Sequence, residues 1–282
     1  MTPVASLPAP LPLVVGFDDV NLAFGATPAL VHVSFSMRAG ETRVVLGAAG
    51  SGKTMLLKTA VGLVMPDSGH ISLFGEEVTG RRESQLYALR SKVGILFQEG
   101  GLFDSLTIAE NVAYPLLNQD NAGKKDSALP TEEIDRRVRE SLRFVELEHT
   151  LDKFPSELSG GMRRRAGIAR AIVTAPQLVL YDSPTAGLDP ITANTIINLI
   201  IKGRDMRNTA TIMVTHRYQD GHLMANFRYN PSSDKIERAE SSQLTTRFFV
   251  MQEGRLFFEG SEAELRASTD SYVLKFARAG SS

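Results

Sequence analysis

An eight-residue segment near position 50 has the residue types and the spacing that bind phosphate. It runs GAAGSGKT and fits the pattern G-x-x-x-x-G-K-[ST]. Glycines let the backbone N–H groups turn inward toward phosphate oxygens, and the helix that follows directs its positive end to the same place. A lysine holds the β- and γ-phosphates, and a threonine hydroxyl ligates Mg²⁺. The predicted site for a nucleoside triphosphate comprises Gly47, Ala48, Ala49, Gly50, Ser51, Gly52, Lys53 and Thr54.

A carboxylate at the end of a short apolar strand supplies a second metal ligand. Leu178-Val179-Leu180-Tyr181 is apolar throughout and is followed directly by Asp182. A strand that ends in Asp is common, but downstream of a phosphate loop it is typical of the Walker B strand. We therefore predict that Asp182 lies beside Thr54 in the shell of one Mg²⁺ ion.

These groups need a parallel sheet to bring them together. Apolar, β-branched runs predict the buried strands, and the phosphate loop is expected to stand between a strand and a helix that contains Met55-Leu56-Leu57. A further helix is predicted around Ile191 to Ile201. The predicted fold class is α/β. The runs with strand character are 14–17, 31–35, 42–46, 93–97, 178–181 and 210–214.

A third motif decides among the classes of phosphate-loop protein. Leu158-Ser159-Gly160-Gly161-Met162 resembles the signature motif of ABC ATPases, which P-loop kinases and GTPases lack. Its hydroxyl and glycine N–H groups stand at the start of a predicted helix, where they could bind a γ-phosphate offered by another subunit. By this resemblance Ser159, Gly160, Gly161 and Met162 belong to the ATP site, with ATP and Mg²⁺ as the cofactors.

Four more positions match landmarks of the ABC family in the family's order. The resemblance implies that Gln98 contacts Mg²⁺ and the attacking water, and that His216 is the switch residue at the γ-phosphate. It implies that Asp189 belongs to the D-loop at the dimer interface, and that Phe24 stacks on adenine. The implied fold is a P-loop ABC cassette with a RecA-like core, an antiparallel β subdomain and a helical subdomain.

The resemblance covers about residues 14–260. We expect a disordered proline-rich lead over 1–13 and a helical subdomain over about 84–175. A polar insert over about 226–247 is predicted to be a loop or a hairpin. The segment 261–282 opens on Ser261-Glu262-Ala263-Glu264, a capping box, and is predicted to form a helix and tail.

Two stretches narrow the resemblance to one branch of the family. Residues 97–107 with 110–116, and residues 157–166 with Met162 after the two glycines, look like the Mla-type ATPases of MCE-linked systems that move phospholipids between Gram-negative membranes. Amino-acid and metal importers share much of this pattern. The resemblance implies a head-to-tail dimer, and a groove near Gln98 to Asn111 for the coupling helix of an integral membrane permease. An MCE-type lipid-binding protein would be an indirect partner.

One position departs from the family. Where the family places a glutamate that polarises the attacking water, this chain has Ser183, which cannot act as a carboxylate base. Three explanations stay open: an engineered change that traps the ATP-bound dimer; a natural site in which His216, Gln98 or Glu99 orients the water; or a hydrolysis-poor subunit beside an active partner. We favour a natural ATPase that is slow alone or restored in the assembled complex.

The composition restricts the alternatives. A net charge of −1 gives no broad basic surface for nucleic acid, and we interpret Arg163, Arg164 and Arg165 as an exposed helix face. The absence of cysteine excludes disulfides and thiolate metal sites. Without a signal-peptide pattern or an 18-residue apolar run, we expect a cytoplasmic protein, peripheral at the inner face of the bacterial inner membrane.

Three functions remain in competition. The leading one is the ATPase of a lipid transporter, with a small polar solute importer as the alternative substrate class. The second is a soluble ABC ATPase that acts on DNA or ribosomes, although the chain has one phosphate loop and no sustained heptad repeat. The third is a regulatory subunit that senses ATP without turnover.

Overall fold

The computed structural model describes residues 11–118, 129–240 and 245–278. Most of the predicted lead over 1–13 lies outside the described residues, as do parts of the predicted insert and tail (241–244 and 279–282). Leu13 already belongs to the first strand.

The described residues form twelve strands and nine α-helices. The strands are β1 (Leu13–Phe24), β2 (Thr27–Arg38), β3 (Thr42–Gly47), β4 (Ser68–Leu73), β5 (Glu76–Glu77), β6 (Val93–Leu96), β7 (Leu178–Asp182), β8 (Ala210–Val214), β9 (Phe227–Asn230), β10 (Lys235–Arg238), β11 (Thr246–Gln252) and β12 (Arg255–Gly260). The helices are α1 (Lys53–Ala60), α2 (Glu83–Arg90), α3 (Ile108–Leu117), α4 (Thr131–Phe144), α5 (Gly160–Ile172), α6 (Pro190–Arg207), α7 (Tyr218–Asn226), α8 (Glu262–Ala267) and α9 (Ser271–Arg278).

A six-stranded sheet in the order β12-β11-β3-β8-β7-β6 forms the centre of the fold. Every neighbouring pair from β11 to β6 is parallel, and only β12 runs antiparallel to its neighbour. The carboxyl ends of β3, β7 and β8 therefore meet at one edge. This topology brings the loop after Gly47 close to Asp182 and to the segment that follows Val214.

Strands β3, β7 and β8 are buried on both faces, which explains why they are mainly apolar rather than alternating. Val44, Leu46 and Tyr181 point to one face, where they join a core with helices α3 to α7. Val45 and Leu180 point to the other, where they join α1, α2 and the antiparallel sheet. Alternate residues of each strand thus serve two separate cores.

The antiparallel sheet has the order β2-β1-β4-β5 and covers one face of the central sheet. Phe17 of β1 stacks on Phe35 of β2 with ring centroids 4.8 Å apart, and Phe35 meets the edge of Phe249 from β11 at 5.1 Å. These three rings connect the two sheets across the core. Strand β6 lies inside the range assigned from sequence to the helical subdomain, yet it pairs with β7 in the central sheet.

Part of the predicted insert is a hairpin. Strands β9 and β10 pair antiparallel, and Asp205 of α6 anchors the hairpin by accepting hydrogen bonds from Arg228 Nη1 at 2.7 Å and Tyr229 N at 2.8 Å. Thr246 and Arg247, at the end of the predicted insert, belong instead to β11 of the central sheet.

The C-terminal segment contains two short helices rather than one. The predicted capping box is present, because Ser261 Oγ accepts from Glu264 N while the Glu264 carboxylate accepts from Ser261 N. Helix α8 ends at Ala267, and Asp270 Oδ1 starts α9 by accepting from the N–H groups of Tyr272 and Val273. Among the described residues no helix is long and apolar enough to cross a membrane.

Candidate functional site

The predicted phosphate loop joins β3 to α1, and its backbone needs glycine at two positions. Gly47 has φ 155°, and a Cβ there would lie 2.6 Å from Met251 O. Gly52 has φ 100°, and its Cβ would lie 2.3 Å from Ala29 O. Neither position has room for a side chain, so both glycines are required by the surrounding backbone as well as by the turn.

Lys53 directs its ammonium into this loop. Its Nζ donates to Gly47 O at 2.9 Å, to Ala48 O at 2.7 Å and to Ser51 Oγ at 3.2 Å. Burial lowers the pKa of Lys53, and the nearby charge of Asp182 partly opposes that shift. A partly buried cation at the amino end of α1 is suited to bind a phosphate.

Thr54 and Asp182 are adjacent, as the sequence predicts. Thr54 Oγ1 donates to Asp182 Oδ2 at 2.9 Å, and Asp182 is 6% exposed at the end of β7. Within the described ranges no group of three or more His, Asp or Glu side chains could hold a metal ion. One hydroxyl and one carboxylate fit Mg²⁺, which takes few protein ligands and completes its shell with phosphate oxygens and water.

Ser183 follows Asp182 with a left-handed backbone, φ 50°. Its hydroxyl donates to Asp182 Oδ1 at 3.2 Å, and its N–H donates to Val214 O at 2.9 Å. The side chain is therefore directed at the same carboxylate that Thr54 contacts. A hydroxyl there can hydrogen-bond, but it cannot accept a proton at neutral pH as a carboxylate does.

The three arginines after the signature motif are not an exposed helix face, contrary to the sequence interpretation. Arg164 is 5% exposed, and Arg163 and Arg165 are half-buried. Arg164 donates from Nη1 to Ser183 O at 2.7 Å and from Nη2 to Ala186 O at 3.0 Å. Helix α5 packs against α6 and the loop after β7, so the middle arginine faces inward and holds that loop.

The predicted signature residues stand at the start of α5. Ser159 Oγ accepts a hydrogen bond from Met162 N at 3.3 Å, which makes Ser159 the helix cap. The Ser159 carbonyl accepts from Arg163 N at 2.9 Å, and among the described residues no hydrogen bond joins Ser159 to the phosphate loop. Gly160 instead lines a cleft of about 600 Å³ together with Gln98, Gly187 and Leu188.

Asp189 begins helix α6. Its Oδ1 accepts from Ile191 N and from Thr192 N, both at 3.0 Å. Hydrogen bonds, those from Thr192 first, lower the pKa of the Asp189 carboxyl. In this structure the residue is a helix cap that is exposed to solvent.

His216 and Phe24 are both open to solvent. His216 follows the last residues of β8 and is exposed. Phe24, 55% exposed, closes the turn between β1 and β2. The same hairpin touches the phosphate loop through Ala29, whose carbonyl faces Gly52. The side chain of Glu99, one of the groups considered for orienting water, lies outside the described part.

Asp220 is a site residue that the sequence reasoning missed. It is 1% exposed, and its Oδ2 accepts from the hydroxyl of Thr215 at 2.7 Å and from that of Thr185. Burial raises the pKa of Asp220, and the two threonine hydrogen bonds partly oppose the shift. Asp220 thus ties the segment after Ser183 to the residue before His216. The sequence does contain a signal for the burial of Asp220. Asp220 lies four positions before Met224, so the two residues share the buried face of α7.

A groove opens beside Gln98. It has a volume of about 490 Å³ and is lined by aromatic side chains that are about 40% exposed, among them Phe97, Phe103 and Tyr114. The rings of Phe103 and Tyr114 lie 4.7 Å apart. Fully buried Asn111 holds the loop in place, because its Nδ2 donates to Phe103 O, to Leu106 O and to Thr107 O.

Comparisons with known proteins identify the family of the chain. The model of the family described as ABC transporter matches residues 30–186, more than half of the chain. The chain is 37% identical over 207 residues to the "Probable ribonucleotide transport ATP-binding protein mkl" of Mycobacterium leprae (strain TN), a match that covers 73% of this chain and 58% of that protein. It is 36% identical over 206 residues to the "Methionine import ATP-binding protein MetN 2" of Bacillus cereus (strain ATCC 10987 / NRS 248), with 72% and 58% covered. The chain therefore spans little more than half the length of these relatives.

A solved structure supports the fold. The dimeric ATP-binding cassette MJ0796, described in a post-hydrolysis state bound to ADP and Pi, has a TM-score of 0.72 to this chain at 26% identity. The match covers 88% of this chain and 98% of that chain. The predicted α/β cassette fold, with its central sheet, antiparallel sheet and helices, is confirmed.

Proposed function

The chain belongs to the ABC transporter family, and we propose that it is the subunit that binds and hydrolyses ATP to power a transporter that moves lipid between membranes. The contact between Thr54 and Asp182, next to the Lys53 ammonium, is the main evidence for the ATP site. ATP would lie on the loop 47–54, with its Mg²⁺ held by Thr54, Asp182 and Gln98. The ring of Phe24 would stack on the adenine.

A second copy of the chain would complete the site. Ser159, Gly160, Gly161 and Met162 stand at a helix start outside hydrogen-bond contact with the phosphate loop of their own chain. A head-to-tail dimer would place them against the γ-phosphate of the partner. The dimeric state of the similar cassette supports this arrangement.

The aromatic groove is the proposed docking site for a membrane permease. Its exposed rings could bury an apolar helix, and its loop is fixed by Asn111 and by Arg170, which donates to Gly100 O at 3.1 Å. The groove begins at Phe97, next to Gln98, so an occupant of the groove could shift Gln98 directly. Membrane-spanning segments would then belong to the permease, and the chain would lie at the inner face of the inner membrane.

Phospholipid is the proposed cargo, on the resemblance of residues 97–116 and 157–166 to Mla-type ATPases. An MCE-type lipid-binding protein would be an indirect partner. A small polar solute importer is the second candidate, favoured by the relative named for methionine import. A hydrolysis-poor regulatory subunit is the third, favoured by Ser183 alone.

The test is to isolate the full chain with its permease and incorporate the complex into vesicles that contain a fluorescent phospholipid. We expect ATP-dependent movement of the phospholipid, lost in Lys53→Ala. Arg139→Ala, at an exposed position of α4, is the matched control. If the complex turns over ATP and moves no phospholipid but accumulates a polar solute, the importer is the correct function. If the assembled complex shows no turnover, the regulatory role is correct.

A further inference from the structure

The C-terminal segment of the chain lies outside the residues that match the family and contacts the phosphate loop. The hydroxyl of Tyr272, on α9, donates to Met251 O at 3.0 Å and accepts from Ala48 N at 3.4 Å. Tyr272 thus bridges the end of β11 and Ala48, the second residue of the loop, although Tyr272 and Ala48 are 224 positions apart in sequence.

The turn between β11 and β12 packs against the outside of the same loop. Gly254 N donates to Ser51 O at 3.2 Å, and Gly254 O accepts from Val31 N at 2.9 Å. A Cβ on Gly47 would meet Met251 O at 2.6 Å. There is little spare room between this turn and the loop, so a shift of one must move the other.

The Tyr272 ring is fixed by its own surroundings. It lies between the rings of Phe257, at 6.1 Å, and Phe276, at 5.2 Å, both edge-on. Lys275 Nζ lies 5.8 Å from its centroid, and the neighbouring Val273 is 1% exposed. The position of the hydroxyl is therefore set by packing of α9 rather than by the hydrogen bonds alone.

Helix α8, which directly precedes α9, contacts the helix that follows His216. Glu262 of α8 accepts hydrogen bonds from Tyr218 and from Asn226, and its Oε1 lies 2.7 Å from His222 Nδ1. All three partners lie on α7, which begins two residues after His216. The C-terminal helices are thus anchored beside both ends of the candidate site.

We propose that α9 is a clamp on the phosphate loop, in which Tyr272 is a positioning residue for the Ala48 peptide. This rests on the proposed ATP site. Lys53 Nζ donates to the carbonyls of Gly47 and Ala48, so holding that peptide also holds the partners of the lysine. Nucleotide binding and docking of α9 then stabilise each other, because coupling between two sites is reciprocal.

The experiment compares Tyr272→Phe with Tyr229→Phe in the full chain. Both changes remove one phenolic hydroxyl that makes hydrogen bonds and keep the ring; Tyr229 binds Asp234 on the distant hairpin. Affinity for MgATP is measured by calorimetry. We expect Tyr272→Phe to bind MgATP about 3- to 10-fold more weakly, the scale of one hydrogen bond, and Tyr229→Phe to match the wild type.

Hydrogen exchange supplies a second readout, which begins with the wild type and is then repeated on Tyr272→Phe. In the wild type, saturating MgATP is expected to slow amide exchange over 271–278, and Tyr272→Phe is expected to lose this protection. Unchanged exchange in the wild type, or equal MgATP affinity for wild type and Tyr272→Phe, would overturn the clamp. If the wild type does not bind MgATP at all, the proposed ATP site itself is wrong.

Discussion

The hydroxyl of Thr54 donates a hydrogen bond of 2.9 Å to the carboxylate of Asp182, across 128 positions of sequence. Thr54 stands at the start of α1 and Asp182 at the end of β7. The two meet because β3 and β7 are parallel strands on either side of β8, with their carboxyl ends at one edge of the sheet. This pair is the proposed Mg²⁺ site.

Replacement of Asp182 by Asn is expected to remove the Mg²⁺ dependence of ATP binding. Carboxylate oxygen is a preferred ligand of Mg²⁺, and an amide lacks its charge. Calorimetry with ATP, in the presence of Mg²⁺ or of EDTA, is expected to give equal affinities for the variant and at least about tenfold tighter binding with Mg²⁺ for the wild type. Asp135→Asn, at an exposed position of α4, serves as the control. Retained Mg²⁺ dependence in Asp182→Asn would exclude this carboxylate as a ligand.

Replacement of Asp220 by Asn is expected to lower kcat for ATP hydrolysis about tenfold while KM for ATP stays within twofold, since displacement of positioned groups slows the chemical step. Asp220 holds the hydroxyls of Thr185 and Thr215 and contacts no part of the loop 47–54 in the described structure. Steady-state kinetics of the variant measure kcat and KM separately and so test whether kcat alone changes. A change in KM alone would show that Asp220 acts on binding instead.

The same carboxyl predicts a pH dependence of stability. Burial raises the pKa of Asp220 above its ordinary value of 3.8. Its contribution to the free energy of unfolding is therefore fully present below about pH 4 and is lost as the pH rises through the raised pKa. In urea unfolding from pH 4 to 8, the wild type should lose stability relative to Asp220→Asn. Parallel pH profiles for the two proteins would contradict the assignment.

Replacement of Arg164 by Ala is expected to lower the free energy of unfolding by about 2–4 kcal/mol, because two guanidinium hydrogen bonds are lost. The carbonyl of Ser183 would keep the N–H of Ala186 as a donor. Arg164→Lys should recover only part of this loss, since one ammonium lacks the fork that reaches both carbonyls. Arg139→Ala on the exposed face of α4 should change stability by no more than about 0.5 kcal/mol. Equal unfolding midpoints for the two alanine variants would refute the role given to Arg164.

Replacement of Phe103 by Glu is expected to prevent association with the permease while the isolated chain keeps its affinity for MgATP. Phe103 is 42% exposed in the aromatic groove, where a carboxylate would oppose burial by an apolar helix. Co-purification from membranes measures association, and calorimetry measures MgATP binding. Phe154→Glu, at a similarly exposed ring outside the groove, is the matched control. Normal co-purification of Phe103→Glu would exclude the groove as the docking site.

Local sequence patterns predict the strands and the glycine loop that carry the site. They do not predict which distant side chains hold these elements in place. The apolar runs at β3, β7 and β8 and the glycines around Lys53 are visible in sequence because backbone conformation and burial restrict residue type locally. Arg164 and Tyr272 form hydrogen bonds to backbone atoms of distant segments. The spacing of residues along the chain cannot predict such partners. Charge alone predicts an exposed face for the arginines after Met162, because it does not reveal which side of α5 packs inward.

Hydrolysis of ATP by the wild type and by Ser183→Glu, with ATP-dependent dimerisation followed in parallel, tests the central claim most directly. We expect the isolated wild type to dimerise with ATP but to hydrolyse it slowly, and Ser183→Glu to raise kcat about 10²- to 10⁴-fold, the usual contribution of a positioned base. Wild-type turnover equal to that of Ser183→Glu would contradict the claim that position 183 lacks the base, and His216 would be the next residue to change.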